Sequence, residues 1–220
     1  YMFRNTESFN QDLSDWDVSN VTNMWDMFEH ATSFNGDISS WDVSSVTTMG
    51  EMFRSASSFN QNIGGWNVSS VTNFNQMFRN ASMFNGNLSD WDVSSATNMG
   101  FMFNDASSFN QDVSGWNVSN VTNMQNMFYG TSSFDINLSG WNVSNVTNMR
   151  EMFRSATSFN QNLSGWDVSN VTDMSDMFTG SNSLSDGNKC AIHTSFSSNA
   201  NWDYDWSDAC YQFQTTAALQ

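Results

Sequence analysis

A strict 25-residue repeat is the feature that most constrains what this chain can fold into. A Met-Phe pair recurs every 25 residues from Met2 to Phe178, and a tryptophan recurs with the same spacing from Trp16 to Trp166. Seven units therefore follow one another over residues 4–178 without an insertion. Because units of identical length can stack in the same pose, this pattern predicts an elongated solenoid rather than a row of globular domains.

Two periodicities alternate within each unit. Apolar residues in segment 24–31 follow the i, i+3, i+4, i+7 spacing of a short helical turn, whereas segments 34–38 and 41–43 have the alternation of short strands. The predicted fold class is therefore α/β: a leucine-rich-repeat-like solenoid with short parallel strands on one side and short helical turns on the other. Each coil is expected to point one apolar set inwards: Phe34, Ile38, Trp41, Val43, Val46, Met49, Met52, Phe53 and Ala56.

A polar column follows the same period. We predict that its side chains form a ladder that bonds the backbone of neighbouring coils, because turn amides inside a stack need partners. The column consists of Asn10, Asn35, Asn60, Asn85, Asn110, Asp135 and Asn160.

The unit F-N-Q-D-L-S-x-W-D-V-S-N-V-T-N-M-x-x-M-F resembles the repeat of the BspA-like bacterial surface leucine-rich-repeat family, a lipoprotein domain of unknown function. The similarity covers residues 2–178, with mild departures at Phe74, Ala96 and Asp135-Ile136. The resemblance implies a right-handed solenoid with a parallel sheet, on a secreted or surface-anchored protein engaged in adhesion or partner contact. It supplies no catalytic motif.

The periodic region and the tail form two predicted domains. Residues 1–178 are the repeat solenoid, whose amino-terminal coil has no cap, and residues 179–220 form a carboxyl-terminal cap. Within the cap we predict a short helix over 186–196 and an aromatic plug over 202–206. Cys190 and Cys210 are 20 residues apart and are the only cysteines, which predicts one disulfide.

Charge excludes several classes of partner. The chain has 22 acidic and 6 basic residues, a formal net charge of −16, so it lacks the basic face that nucleic acids require. No apolar run approaches the length of a membrane span, and we expect no direct membrane insertion. Two histidines and two paired cysteines leave no nucleophile or acid-base constellation, so we predict that the protein is not an enzyme and has no cofactor.

Candidate binding residues lie where the repeat is broken. On the predicted helical side, Trp25, Phe101 and Tyr129 replace the polar or small residues of sibling units. Exposed aromatic and arginine side chains are typical interface anchors. The arginines that share this candidate surface are Arg54, Arg79 and Arg154.

Calcium is an alternative for one acidic turn. Asp12, Asp15 and Asp17 offer the hard oxygen ligands that this ion prefers, although no calcium-loop motif is present.

Two main functions remain open. The first is a non-enzymatic, extracellular or cell-surface adhesion module that binds a protein or a surface glycan. The alternative is a structural subunit of an extracellular filament or layer, which self-associates through the uncapped amino-terminal end. A minor alternative is calcium-dependent carbohydrate binding.

Overall fold

A computed structural model describes residues 1–217 of the chain. Over these residues the regular elements are two helices, α1 (Asp186–Phe196) and α2 (Ser207–Ala217), and a row of isolated parallel β-bridges. Everything between residues 1 and 185 is built from turns and extended connections that repeat with the 25-residue period. The result is a regular repeat domain followed by a helical tail.

Successive coils lie directly on one another. The parallel bridges join equivalent positions in consecutive units, and they run through Asn23, Thr48, Asn73, Asn98, Asn123, Asn148 and Asp173. A threonine column beside them adds a second contact, since the Thr47 N–H and hydroxyl both reach the carbonyl of Thr22, at 2.9 and 3.2 Å. Each unit thus satisfies its backbone groups on the unit before and the unit after it.

The prediction of a helical turn is wrong, because the backbone of this segment is not helical. Glu51 has a φ of 55° and Ser55 a φ of 59°, and equivalent residues of other units also have positive φ values, in the left-handed region that no α-helix contains. In consequence the N–H groups alternate: that of Phe53 donates to the Met77 carbonyl of the next coil, at 2.9 Å, whereas that of Arg54 turns back to Glu51, at 3.1 Å. A helix would direct every N–H inside its own coil and leave the stack without these bonds.

The strands predicted over 34–38 and 41–43 are also absent from the described chain. The N–H of Asn35 bonds a side-chain oxygen of Asn10 instead of a backbone carbonyl, and the N–H of Trp41 closes a turn onto Ile38. Parallel pairing occurs one column away, at the bridge residues, where it involves single residues.

The predicted inner set is confirmed, because every member is at most 4% exposed. Phenylalanine rings form the centre: the column from Phe28 through Phe53 and Phe78 to Phe103 stacks at 5.6–5.7 Å between coils. A second phenylalanine column packs against the first within each coil, as Phe53 does with Phe59 at 3.8 Å. Flat rings in this arrangement transmit the same register from one coil to the next.

The tryptophan column combines burial with a hydrogen bond. The Trp66 indole N–H donates to the Ile38 carbonyl at 3.1 Å, and five more tryptophans repeat this bond to a carbonyl 28 residues earlier. A buried indole N–H needs such a partner.

Helix α1 covers the last coil as the sequence predicts. Ser185 caps its first turn, and Ile192 and Phe196 are the buried residues of this helix. The predicted disulfide is confirmed, since Cys190 of α1 is bonded to Cys210 of α2.

The aromatic residues between the two helices close the stack. Trp202, Tyr204 and Trp206 lie 5.6–6.3 Å from Phe178, measured between ring centroids. They take the place that the next phenylalanine would occupy in an interior coil.

Candidate functional site

Two neighbouring columns of polar residues run along the turn-rich side of the stack, at the positions of Asp26 and Glu29 and their equivalents. Their side chains pair across coils into an ion-pair ladder with two segments. The lower segment contains Arg4, Asp26, Glu29, Glu51 and Arg54. The upper segment contains Glu151, Arg154 and Asp176, and Arg150 of the adjoining column pairs with Glu151.

The lower segment centres on a buried carboxylate. The Glu29 side chain is 2% exposed and pairs with Arg4 and with Arg54, the latter at 2.9 Å; Arg54 also contacts Glu51 at 2.7 Å. Burial, followed by the charges of Glu29 and Glu51, raises the pKa of Asp26 above its ordinary value. The segment is thus a network in which two arginines partly offset three acids, and Asp26 Oδ1 is buried without a hydrogen-bond partner.

Asp26, Glu29 and Glu51 are also the one group of three potential metal-ligand side chains that the described residues bring within 4.8 Å of each other. Arg4 and Arg54 already contact these carboxylates. Two guanidinium groups inside the cluster repel a divalent cation, so the arrangement favours ion pairing over metal binding.

The acids expected to bind calcium do not form such a group. Asp12 and Asp17 each accept the N–H of the serine two residues later, at 2.8 and 3.1 Å, and Asp15 is exposed between them. Hydrogen bonds from Ser19 lower the pKa of Asp17. These aspartates stabilise separate turns, because a short acceptor side chain replaces the missing backbone partner there.

The predicted binding arginines have different surroundings. Arg54 and Arg154 are committed to the ladder, and Arg154 lies 3.7 Å from Glu151 and 3.4 Å from Asp176. Arg79 is the one arginine of the described chain without a carboxylate within 4.0 Å. Its Nη1 donates to Gln76 Oε1 at 2.7 Å, and its Nε is buried without a partner.

Gln76 and Phe101 occupy the two places from which acids pair with Arg154, so the ladder is interrupted at Arg79. In both ladder segments an arginine contacts the acid 22 positions later: Arg4 lies 3.5 Å from Asp26, and Arg154 lies 3.4 Å from Asp176. Phe101 is the residue 22 positions after Arg79, and the guanidinium carbon lies 5.4 Å from its ring centroid. A cation–π contact therefore replaces the ion pair.

Trp25 and Tyr129 are separate from this pair. The Trp25 ring lies on Gly50 of the next coil, so closely that a Cβ at Gly50 would be 2.3 Å from it. Tyr129 is half-buried and makes no ring contact with Phe101 among the described residues. The structure thus brings together Arg79 and Phe101 and leaves the other candidates apart.

The predicted asparagine ladder lies on another side of the coils. Asn10 Oδ1 accepts the N–H of Asn35 at 2.7 Å, and the same bond recurs along the column up to the N–H of Ser185, which Asn160 accepts at 2.9 Å. These side chains accept the backbone N–H groups of the following coil, as predicted.

Sequence reasoning missed the Asp26–Glu29–Glu51 cluster and the contact of Trp25 with Gly50. Both depend on contacts between coils, over separations of 22 or 25 positions. Aligning the units and comparing adjacent columns would have found the charge pattern, since acids and arginines occupy neighbouring places in it.

The fold and the tail together define a class of protein: a repeat protein of stacked 25-residue aromatic coils, followed by a disulfide-bonded helical tail. The chain belongs to the family described as Mycoplasma protein of unknown function, DUF285, whose model matches residues 1–116 and 108–202. No curated protein matches the chain. Within the described residues, no helix has the length and apolarity needed to cross a membrane.

Proposed function

We propose that this protein is a non-enzymatic binding module, displayed on a cell surface or secreted, that contacts a protein partner. The observation that carries the proposal is the interruption of the ion-pair ladder at Arg79 and Phe101. Half-buried arginine and aromatic side chains without an ion-pair partner are typical of the residues that dominate interface energies.

The disulfide supports an extracellular location, because such bonds persist in oxidising compartments. The parallel bridges between coils support a divergent leucine-rich-repeat solenoid of the BspA-like kind. In this view the turns replace the usual helices, and aromatic residues replace leucine.

Binding of the labelled, intact chain to cell surfaces and to purified matrix proteins tests the function. We expect saturable binding that weakens at least about tenfold when Phe101 and Arg79 are both changed to alanine, as interface anchors do. Asp112→Asn, on an exposed turn outside the ladder, is the matched control and should leave binding unchanged. Saturable binding to none of these surfaces would refute the proposal.

A second candidate is self-association through the amino-terminal face of the stack. Tyr1 and Met2 are 77% and 67% exposed, Trp16 is 41% exposed, and a cleft of about 300 Å³ lies between them. Light scattering on the wild type and on Met2→Glu tests this alternative. A concentration-dependent dimer that Met2→Glu abolishes would support it, and a monomer at all concentrations would exclude it.

A further inference from the structure

Arg79 has unused hydrogen-bonding capacity on the surface of an acidic protein. A guanidinium has five N–H donors. The described structure gives Arg79 one side-chain bond, to Gln76, and places the Phe101 ring against it at 5.4 Å. Burial raises the pKa of Asp105, and the positive charge of Arg79 opposes that rise. The Asp105 carboxylate nevertheless lies more than 4.0 Å from the Arg79 guanidinium.

The backbone conformation of Phe101 is unfavourable for an aromatic side chain. Its φ is +58°, a conformation that asparagine and aspartate tolerate and a bulky aromatic residue rarely adopts. The equivalent positions of the other units carry polar residues: Asp26, Glu51, Gln76, Asn126, Glu151 and Asp176. A strained residue that breaks an otherwise regular column is a reason to expect a functional role.

We propose that Arg79, held against Phe101, binds a carboxylate of the partner, so that the partner protein presents an aspartate or glutamate side chain beside an apolar group. The inference rests on the proposed binding function and names the chemistry of its site. Arg4 and Arg154 each have an acid from this chain at the place where Arg79 has Phe101. A partner carboxylate would supply the missing acid.

An acidic protein fits this contact better than a sugar. Sugars stack on open aromatic faces, whereas Arg79 lies over one face of Phe101. A carboxylate instead binds the N–H edge of a guanidinium, often through two parallel bonds. The Phe101 edge would then contact the apolar neighbour of that carboxylate.

The direct test is an NMR titration of the intact isotope-labelled chain with two end-blocked peptides, Gly-Glu-Phe-Glu-Gly and Gly-Gln-Phe-Gln-Gly. Because the net charge of −16 repels acidic peptides in general, the titration is run at about 0.15 M salt, where the screening length is about 8 Å. We expect the glutamate peptide to shift the Arg79 and Phe101 resonances and to bind roughly tenfold more tightly than the glutamine peptide.

Two variants and a control define the site. Arg79→Gln should lose the preference for the glutamate peptide. Phe101→Asp should lose it as well, because an aspartate there would pair with Arg79 as Asp176 pairs with Arg154, and its melting temperature should be no lower than that of the wild type. Arg154→Gln removes a paired arginine and should bind like the wild type.

Equal binding of the two peptides, or a preference that survives in Phe101→Asp, would overturn the inference. A glucuronate titration that shifts the same resonances while the peptides do not would overturn the choice of a protein partner. Retained surface binding by Arg79→Gln would refute this carboxylate contact but not the binding function. A wild type that binds no surface would refute the function separately.

Discussion

The two ends of the stack differ in whether their N–H groups find hydrogen-bond acceptors. In an interior coil, the N–H of a phenylalanine donates to a carbonyl of the next coil, as that of Phe53 does to Met77. At the carboxyl end the Tyr204 hydroxyl accepts the N–H of Phe178 at 2.8 Å instead. At the amino end of this chain, Trp16 is 41% exposed and its indole N–H has no partner among the described residues.

Side chains of the tail copy the bonding pattern of a coil. Asn188 bonds both the carbonyl and the side chain of Asn160, and Asn199 bonds the carbonyls of Val168 and Val171. A repeat array therefore ends wherever side chains can supply the donors and acceptors that another coil would have supplied.

The largest difference between the ends should come from the terminal phenylalanines. Phe178 is 4% exposed beneath the aromatic plug, whereas Phe3 is only half-buried. We expect Phe178→Ala to lower the free energy of unfolding by about 3–5 kcal/mol and Phe3→Ala by less than half of that, since the cost follows the burial that is lost. Denaturant unfolding of both variants measures this, and equal losses would show that the ends are equally covered.

Removal of the disulfide should loosen one end only. Replacing both Cys190 and Cys210 with serine frees a loop whose closure contributes about 3 kcal/mol in the loop-entropy model. Because repeat stability is a sum of local terms, we expect faster hydrogen exchange in residues 154–217 and little change before residue 100. Uniform loosening along the chain would contradict the view that the tail is a local cap.

The hydroxyl of Tyr204 should have a measurable share in that cap. Tyr204→Phe keeps the ring but leaves the Phe178 N–H without its acceptor, at a cost of roughly 1–3 kcal/mol for an unpaired buried donor. Tyr211→Phe is the matched control, because Tyr211 is exposed. Thermal unfolding should therefore give a lower melting temperature for Tyr204→Phe than for Tyr211→Phe. Equal melting temperatures would mean that water replaces the Tyr204 hydroxyl as the acceptor.

The smallest expected effect concerns Asp26 near the amino end. The pKa of Asp26 is raised, so ionisation of this carboxyl lowers the free energy of unfolding at pH values above the raised pKa. This loss of stability disappears as the pH falls towards the ordinary pKa of 3.8. Asp26→Asn should accordingly equal or exceed the wild type in stability at pH 7, by less than about 1 kcal/mol, and should lose this advantage near pH 4. A difference that does not vary with pH would rule out the titration of Asp26 as its cause.

Much of the molecule could be predicted from the sequence because the repeat reports burial directly. A residue such as Phe53 recurs at one position of each coil, and a position that always carries a large apolar side chain faces the core. The terminal helix α1 and the Cys190–Cys210 bond were predictable for similar reasons: a local apolar spacing and a single pair of cysteines. The candidate site was predictable only as a surface, since Trp25, Phe101 and Tyr129 appeared equivalent in the sequence.

The sequence by itself determined the period, the inner residues and the position of the cap. Only the tertiary structure decided where the backbone N–H groups point, and therefore that turns with left-handed residues such as Glu51 replace the predicted helices. It also decided which charges meet, pairing Arg154 with Asp176 and leaving Arg79 with Phe101. The physical reason is the same in both cases: these bonds join one coil to its neighbour, so the apolar spacing within a single coil contains no information about them.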